Sequence, residues 1–324
     1  MTTRRNAMLG MLASSLEFSA TNVFAQDASP ITILVGAASS MDYGARAIAE
    51  QMRDVLGRPV VVMSKLGAGQ RIALGEVKRA QPDGRTLVFA TSGPFAVYPH
   101  VYNKLDYDPV TDFTPIAGIS TFDVAISTGP ATGVTNLAQL IEWMRSKKPG
   151  DAVYGSAPGN GSLSHFVGIS IGLAANLQVT HVPYKDSGVG LMDLAAGRLP
   201  VMITGLSPQI EMHKAGKIKL LAVSGNTRSP LVPEVPTLRE AGIAVSSTTS
   251  TAIFGPAKMP AELVKKLYEA INPMTLSPIV REKFAGQAMT PWSANPAQLA
   301  QSLAEERKKY EGLVKASGYL KEDA

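Results

Sequence analysis

Residues 31–65 read ITILVGAASSMDYGARAIAEQMRDVLGRPVVVMSK, and three patterns follow one another along them. ITILVG at 31–36 is a short run rich in β-branched residues, as in a strand buried on both faces. Asp42 to Leu56 repeats apolar residues at three- and four-residue spacing and reads as a helix, and PVVVMSK at 59–65 is a second strand. Parallel neighbours need a long connection covering one face of the sheet, so strand, helix and strand in this order predict a parallel α/β sheet.

The alternation extends outward. Gln70 to Ala80 reads as a helix, PDGRTLVFATS at 82–92 puts a Pro-Asp-Gly turn before a strand at 86–91, and FTPIAG at 113–118 is a weaker strand. The scheme then repeats with AVYGSA at 152–157, a helix from Ser162 to Ala175, THVPY at 180–184 and a helix from Val189 to Ala196. LPVMITG at 199–205, a helix from Ser207 to Ala215 and KLLAVSG at 219–225 complete it. FDVAIST at 122–128 and STTSTAIFGP at 247–256 lack helices of their own and read as strands crossing between two lobes. The expectation is an α/β, two-lobed protein: residues 26–125 with 251–324 form lobe 1, 126–250 form lobe 2, and residues 260–324 are helical. Such sheets bind ligands in the crevice beyond their carboxyl strand ends, and a lobe pair can close by hinging.

Arg4 and Arg5, an apolar stretch from Ala7 to Leu16 and Val23-Phe24-Ala25 form the succession of a cleaved export signal, residues 1–25, with the mature chain beginning at Gln26 in the periplasm. Thr3-Arg4-Arg5 leaves both the general and the twin-arginine export routes open. Glu17 and the shortness of the apolar stretch argue against a membrane span. With 31 basic and 26 acidic residues the net charge is +5; loss of Arg4, Arg5 and Glu17 leaves 29 and 25, or +4, spread without a basic stripe, which disfavours nucleic acid. There are no cysteines, so disulfides and thiolate chemistry are excluded. The four histidines (His100, His165, His181, His213) lack metal-ligand spacing, so neither metal nor cofactor is expected.

The chemistry concentrates in loops after the first strand of each half. AASSMD (Ala37, Ala38, Ser39, Ser40, Met41, Asp42) and the loop containing Ser156, Ala157, Gly159, Asn160, Gly161 and Ser162 both open helices, with Asp42 and Ser162 placed as N-caps. Unpaired backbone N–H groups there accept a carboxylate without a cation, and two such loops facing each other make an anion clamp. Gly67, Ala68 and Gly69 form a third small-residue loop, lacking both the P-loop and the dinucleotide glycine spacing. Ser162 and His165 lie three apart, a spacing open to a nucleophile with its base, but no GxSxG elbow or orienting Asp accompanies them, and the cap reading is preferred. Tyr184 is read as a cleft wall, Lys185 as either a ligand contact or a solvated lysine, His181 as a satisfied core residue, and Trp143 and Trp292 as packing residues.

HVPYKDS at 181–187, YGSAPGNGSLSH at 154–165, AQPDGRTLVFATS at 80–92, YDPVTDFTPIA at 107–117, LAVSGNTRSPLVPEVPTLREAG at 221–242 and FGPAKMP at 254–260 together resemble the Bug-type substrate-binding proteins of tripartite tricarboxylate transporters. The resemblance runs from about Pro30 to the C-terminus. It implies a type II periplasmic binding-protein fold and a monomeric, non-catalytic receptor that delivers a small carboxylated solute to membrane transporter subunits, holding it by backbone amides and ordered water. Ser92 joins the implied site, as do Gly67 to Gly69, His165, Tyr184 and Lys185. The chain departs from that pattern in AASSMD, which lacks a proline and paired glycines. Asp186 replaces a glycine, Thr204 stands where an acidic residue is frequent, and GAGQR replaces GAGGN. Asp186 is open to two readings: a charge selecting ligands with fewer negative groups, or a helix cap. A sensor-linked binding protein is the alternative function and an esterase the distant one.

Overall fold

The computed structural model describes residues 29–37 and 40–323; the export signal expected at residues 1–25 and the candidates Ala38 and Ser39 lie outside the described residues. The chain runs β1 (Ile31–Val35), α1 (Ser40–Leu56), β2 (Val60–Ser64), a 3-10 turn (Ala68–Gln70), α2 (Arg71–Lys78), β3 (Thr86–Thr91), α3 (Gly93–Ala96), α4 (Tyr98–Val101) and β4 (Phe113–Thr128). Next come α5 (Leu137–Arg145), β5 (Val153–Ser156), α6 (Leu163–Ala174), β6 (Thr180–Pro183), α7 (Ser187–Ala195), β7 (Val201–Gly205), α8 (Ser207–Lys214) and β8 (Lys219–Val223). The last elements are β9 (Thr248–Pro256), α9 (Ala261–Thr275), α10 (Pro278–Ala285), β10 (Met289–Ala294) and α11 (Pro296–Ser317).

The strands pair in the order β2-β1-β3-β9-β4-β7-β5-β6, with β8 and β10 also on β4. β1 is parallel to β2 and β3, and β5 to β6 and β7, so these strands need the helical crossovers expected of them. Ile33, Leu34 and Val35 are buried to 0% exposure because helices cover both faces, and α1 lays Met41, Ala45, Ile48 and Met52 on one of them. The second sheet buries Val124, Ile126, Val201 and Ile203 with α5 and α6, and Leu206 and Ile210 with Ala125 on the α8 side. The result is a two-lobed α/β fold.

FTPIAG and FDVAIST, expected as separate strands, are one sixteen-residue strand, β4. Its Phe113–Asp123 portion pairs with β9, with β10 on its other edge from Gly118 to Phe122, and its Val124–Thr128 portion pairs with β7 and β8. Register shifts near Pro115 and Gly118 bend the strand, and polar Ser120 is accommodated by a 2.7 Å hydroxyl bond to Thr251. The all-helical expectation for residues 260–324 is corrected by β10, whose Pro291 is tolerated because β10 pairs only along one edge, with β4. The asparagine of the Asn295/Gln298 capping box starts the 22-residue α11, and left-handed Gly318 (φ 67°) ends it.

Candidate functional site

In the lobe containing β1, three loops leave strand ends. Gly36 follows β1 under Gln70, where a Cβ would lie 2.6 Å from the Gln70 Cα. Ser40 donates to Gln287 Oε1 at 3.3 Å. Asp42 is not the expected N-cap: α1 already begins at Ser40, and the Asp42 carboxylate accepts from Arg46 Nε (2.6 Å) and Ser64 Oγ (2.8 Å). The Arg46 hydrogen bond holds its pKa down, so Asp42 braces α1 against the end of β2.

Gly67, Ala68, Gly69 and Gln70 all have positive φ (124°, 45°, 60°, 77°), and a Cβ on Gly69 would collide with the buried Tyr98 hydroxyl. Gln70, a non-glycine residue in the left-handed region, is fixed by Nε2 donating to Thr91 Oγ1 (2.6 Å) and Oε1 accepting from Thr91 N (3.1 Å). Arg71 Nε donates to Ala68 O at 2.8 Å, and its guanidinium lies 4.4 Å over the Tyr102 ring. Beyond β3, Ser92 is 4% exposed, its N–H donates to Ser250 O (2.9 Å), and its hydroxyl and that of Ser250 bond Glu306 from α11. Burial raises the Glu306 carboxyl pKa despite those bonds.

In the lobe containing β5, the Ser156–Ser162 loop stands on two stacked imidazoles. His165 and His181 rings lie 3.7 Å apart at 13°. His181 Nε2 meets Ser156 Oγ at 2.7 Å, and His165 Nδ1 accepts the Gly161 N–H at 3.1 Å, so the ring is the neutral Nε2–H tautomer. Burial lowers His165 to about 3, helped by the neighbouring ring, and lowers His181 to about 4, leaving both neutral at physiological pH. Ser162 caps α6 as expected, its Oγ accepting the His165 backbone N–H at 3.2 Å. Neither ring is bonded to that hydroxyl among the described residues, so Ser162 and His165 are not assembled as a nucleophile and its base.

Gly159 (φ 74°) and Gly161 (φ 65°) turn the loop, and Ala157 is buried below it. Asn160, Leu163 and Ser164 N–H groups have no acceptor among the described residues and cluster at the positive end of α6. This loop is also where the lobes touch: a Cβ on Gly161 would lie 2.8 Å from Val101 Cγ2, and Phe166 packs with Tyr98, Val101, Tyr310 and Val314.

The remaining candidates act within their lobe. Tyr184 packs on Gly155 and Gly190 and sends its hydroxyl to Asp193 Oδ2 (2.9 Å). Lys185 is exposed and makes no ion pair among the described residues. Asp186 is the N-cap of α7, its Oδ1 accepting from Val189 N at 3.1 Å, as in the cap reading. Thr204, 1% exposed, bonds Ser187 Oγ at 2.6 Å and ties the β6 and β7 loops together. Sequence reasoning passed over Asp123, on β4 where it exchanges partners: no donor reaches its carboxylate among the described residues, and burial pushes it up to about 6. Its signal was its place as the only charged residue in the FTPIAGISTFDVAIST stretch. Among the described residues there is no cluster of metal-ligating side chains and no helix long and apolar enough to cross a membrane.

Amide-rich loops at the carboxyl ends of the parallel strands of two mixed sheets, linked by one shared strand, define a two-lobed solute-binding protein. The chain belongs to the tripartite tricarboxylate transporter receptor family, whose sequence profile matches residues 44–319. BugT of Bordetella pertussis is 28% identical over 321 residues, covering 98% of each chain, and a UPF0065 protein of the same organism is 31% identical over 275 residues, covering 83% of this chain and 84% of that one. Among solved structures, Rpa4515 of R. palustris with adipate superposes with TM-score 0.82 at 28% identity, covering 90% of this chain and 98% of the other. MatC from Rhodopseudomonas palustris with bound malate gives 0.77 at 28% identity, covering 88% and 98%.

Proposed function

We propose that this chain is an exported, non-catalytic receptor that captures a small carboxylated solute between its lobes and presents it to a tripartite membrane transporter. The observation that carries the reading is the Gly159–Ser162 loop. The free N–H groups of Asn160 in this loop and of Leu163 and Ser164 just after it stand at the positive end of α6, over two imidazoles that stay uncharged, so an anion is held by fixed dipoles without a buried counter-charge. The malate and adipate held by two relatives are carboxylates of matching chemistry. The binding surface we assign comprises Ala37 to Ser40 and Asp42, Gly67 to Gly69, Ser92, Ser156, Ala157, Gly159 to Ser162, His165, Tyr184, Lys185, Asp186 and Thr204. Ser156, His165, Asp42, Tyr184, Asp186 and Thr204 position the loops. Residues 26–125 with 251–324 are assigned to one lobe and 126–250 to the other; the mature chain begins at Gln26 in the periplasm and works as a monomer.

Calorimetry and thermal unfolding with malate, adipate, citrate and acetate test the reading. A bound acid at about 100 times its Kd raises stability by about 2.7 kcal/mol. Silence toward every acid, together with turnover of a nitrophenyl ester, would overturn it.

A further inference from the structure

Arg71 has a guanidinium whose remaining donors are uncommitted. Nε is spent on Ala68 O at 2.8 Å, which pins the side chain to the left-handed loop, and the plane lies 4.4 Å over the Tyr102 ring. No carboxylate forms an ion pair with Arg71 among the described residues, so both Nη groups are free. Glu322, which also lies by Tyr102, accepts the Tyr319 hydroxyl instead. Arg71 is half-buried, so its stem and ring contact hold the fork in one orientation and limit the entropy lost on binding.

The position of that fork matters. Tyr102 directly follows Val101, the residue that meets Gly161, and Tyr319 lies 5.5 Å, ring to ring, from His165. The free cation and the amide loop of the other lobe therefore flank the same interlobe contact. A planar fork with two parallel donors matches a carboxylate bidentately, whereas backbone N–H groups take an anion of any shape.

We infer that Arg71 is a specificity-determining ligand anchor: it takes the second carboxylate of a linear dicarboxylate whose first carboxylate is held by the N–H groups at the start of α6. The inference rests on the receptor reading and extends it to substrate class.

The test is calorimetric titration of succinate, adipate and acetate into wild type, Arg71→Asn and Arg71→Lys, with the melting temperature of each ligand-free protein as a folding control. Wild type should prefer the dicarboxylates. Arg71→Asn should weaken them by about tenfold or more while leaving acetate within about twofold, and Arg71→Lys, which keeps the charge but loses the fork, should fall between. Equal weakening of all three acids, or an unchanged ranking in Arg71→Asn, would overturn the anchor and leave the receptor reading standing. A wild type silent toward all three would sink both.

Discussion

Asp123→Asn should make the protein more stable, and increasingly so as the pH rises. Asp123 lies where β4 leaves β9 and β10 for β7 and β8, with its carboxylate against Gly225 and no donor or cation beside it. Burial alone raises its pKa from 3.8 to about 6. A carboxyl whose pKa is raised by folding contributes nothing adverse while both states are protonated, below the unfolded value. Between that value and about 6 the unfolded chain loses its proton first, so stability falls as the pH rises; above 6 the loss is constant. At about 1.4 kcal/mol per unit the shift corresponds to about 3 kcal/mol, and residual solvent contact reduces this to about 1–3 kcal/mol. Urea unfolding of both proteins from about pH 4 to pH 8 reads it directly: the advantage of the Asn variant should grow by that amount up to about pH 6.5 and then flatten. The histidines contribute equally to both proteins and cancel. An advantage independent of pH, or one that grows toward acid, would refute an isolated buried carboxylate at this crossing.

The His165–His181 stack acts in the opposite direction: with both pKa values depressed, stability is intact above about pH 6.5 and falls below it by up to about 1.4 kcal/mol per unit for each ring. Imidazole NMR should show His165 and His181 failing to titrate between about pH 5 and pH 8; normal titration of these two rings would contradict the buried stack. Asp186→Ala should cost about 1 kcal/mol in chemical unfolding and Asp186→Gly only a few tenths, with the ranking of acids unchanged in calorimetry, because the carboxylate caps α7. Gly161→Ala forces a Cβ onto Val101 at a φ of 65°, so it should lose about 1–3 kcal/mol by urea unfolding and weaken every carboxylate together.

The elements that could be read from sequence are those whose signals are local. β3 occupies the expected residues 86–91 because a Pro-Asp-Gly turn precedes a β-branched and aromatic run, and Ser162 caps α6 because an N-cap answers to residues three positions away. The misplaced features depend on distant partners. β10 is MTPWSA, a segment with a proline and no clear alternation, which becomes a strand only because β4 offers it an edge. Ser40 answers to Gln287, 247 residues later, and no local pattern encodes that. The loops of the candidate site were proposed from their glycines and serines, while the partners of several side chains depend on distant residues. Tyr184 turns to Asp193, Asp42 to Arg46 and Ser64, and Gln70 takes a left-handed backbone held by Thr91.

β4 has a consequence for how the chain is made. Its first portion is joined to β3 only through β9, which begins at Thr248, after β5 to β8 have emerged. A growing chain that has not reached β9 carries β3 and β4 with the edges meant for it unsatisfied, and the α9–α11 cover of that sheet comes later still. Closure of the first sheet thus waits for the final quarter of synthesis. A chain kept open in this way remains a threadable polymer until nearly all of it exists.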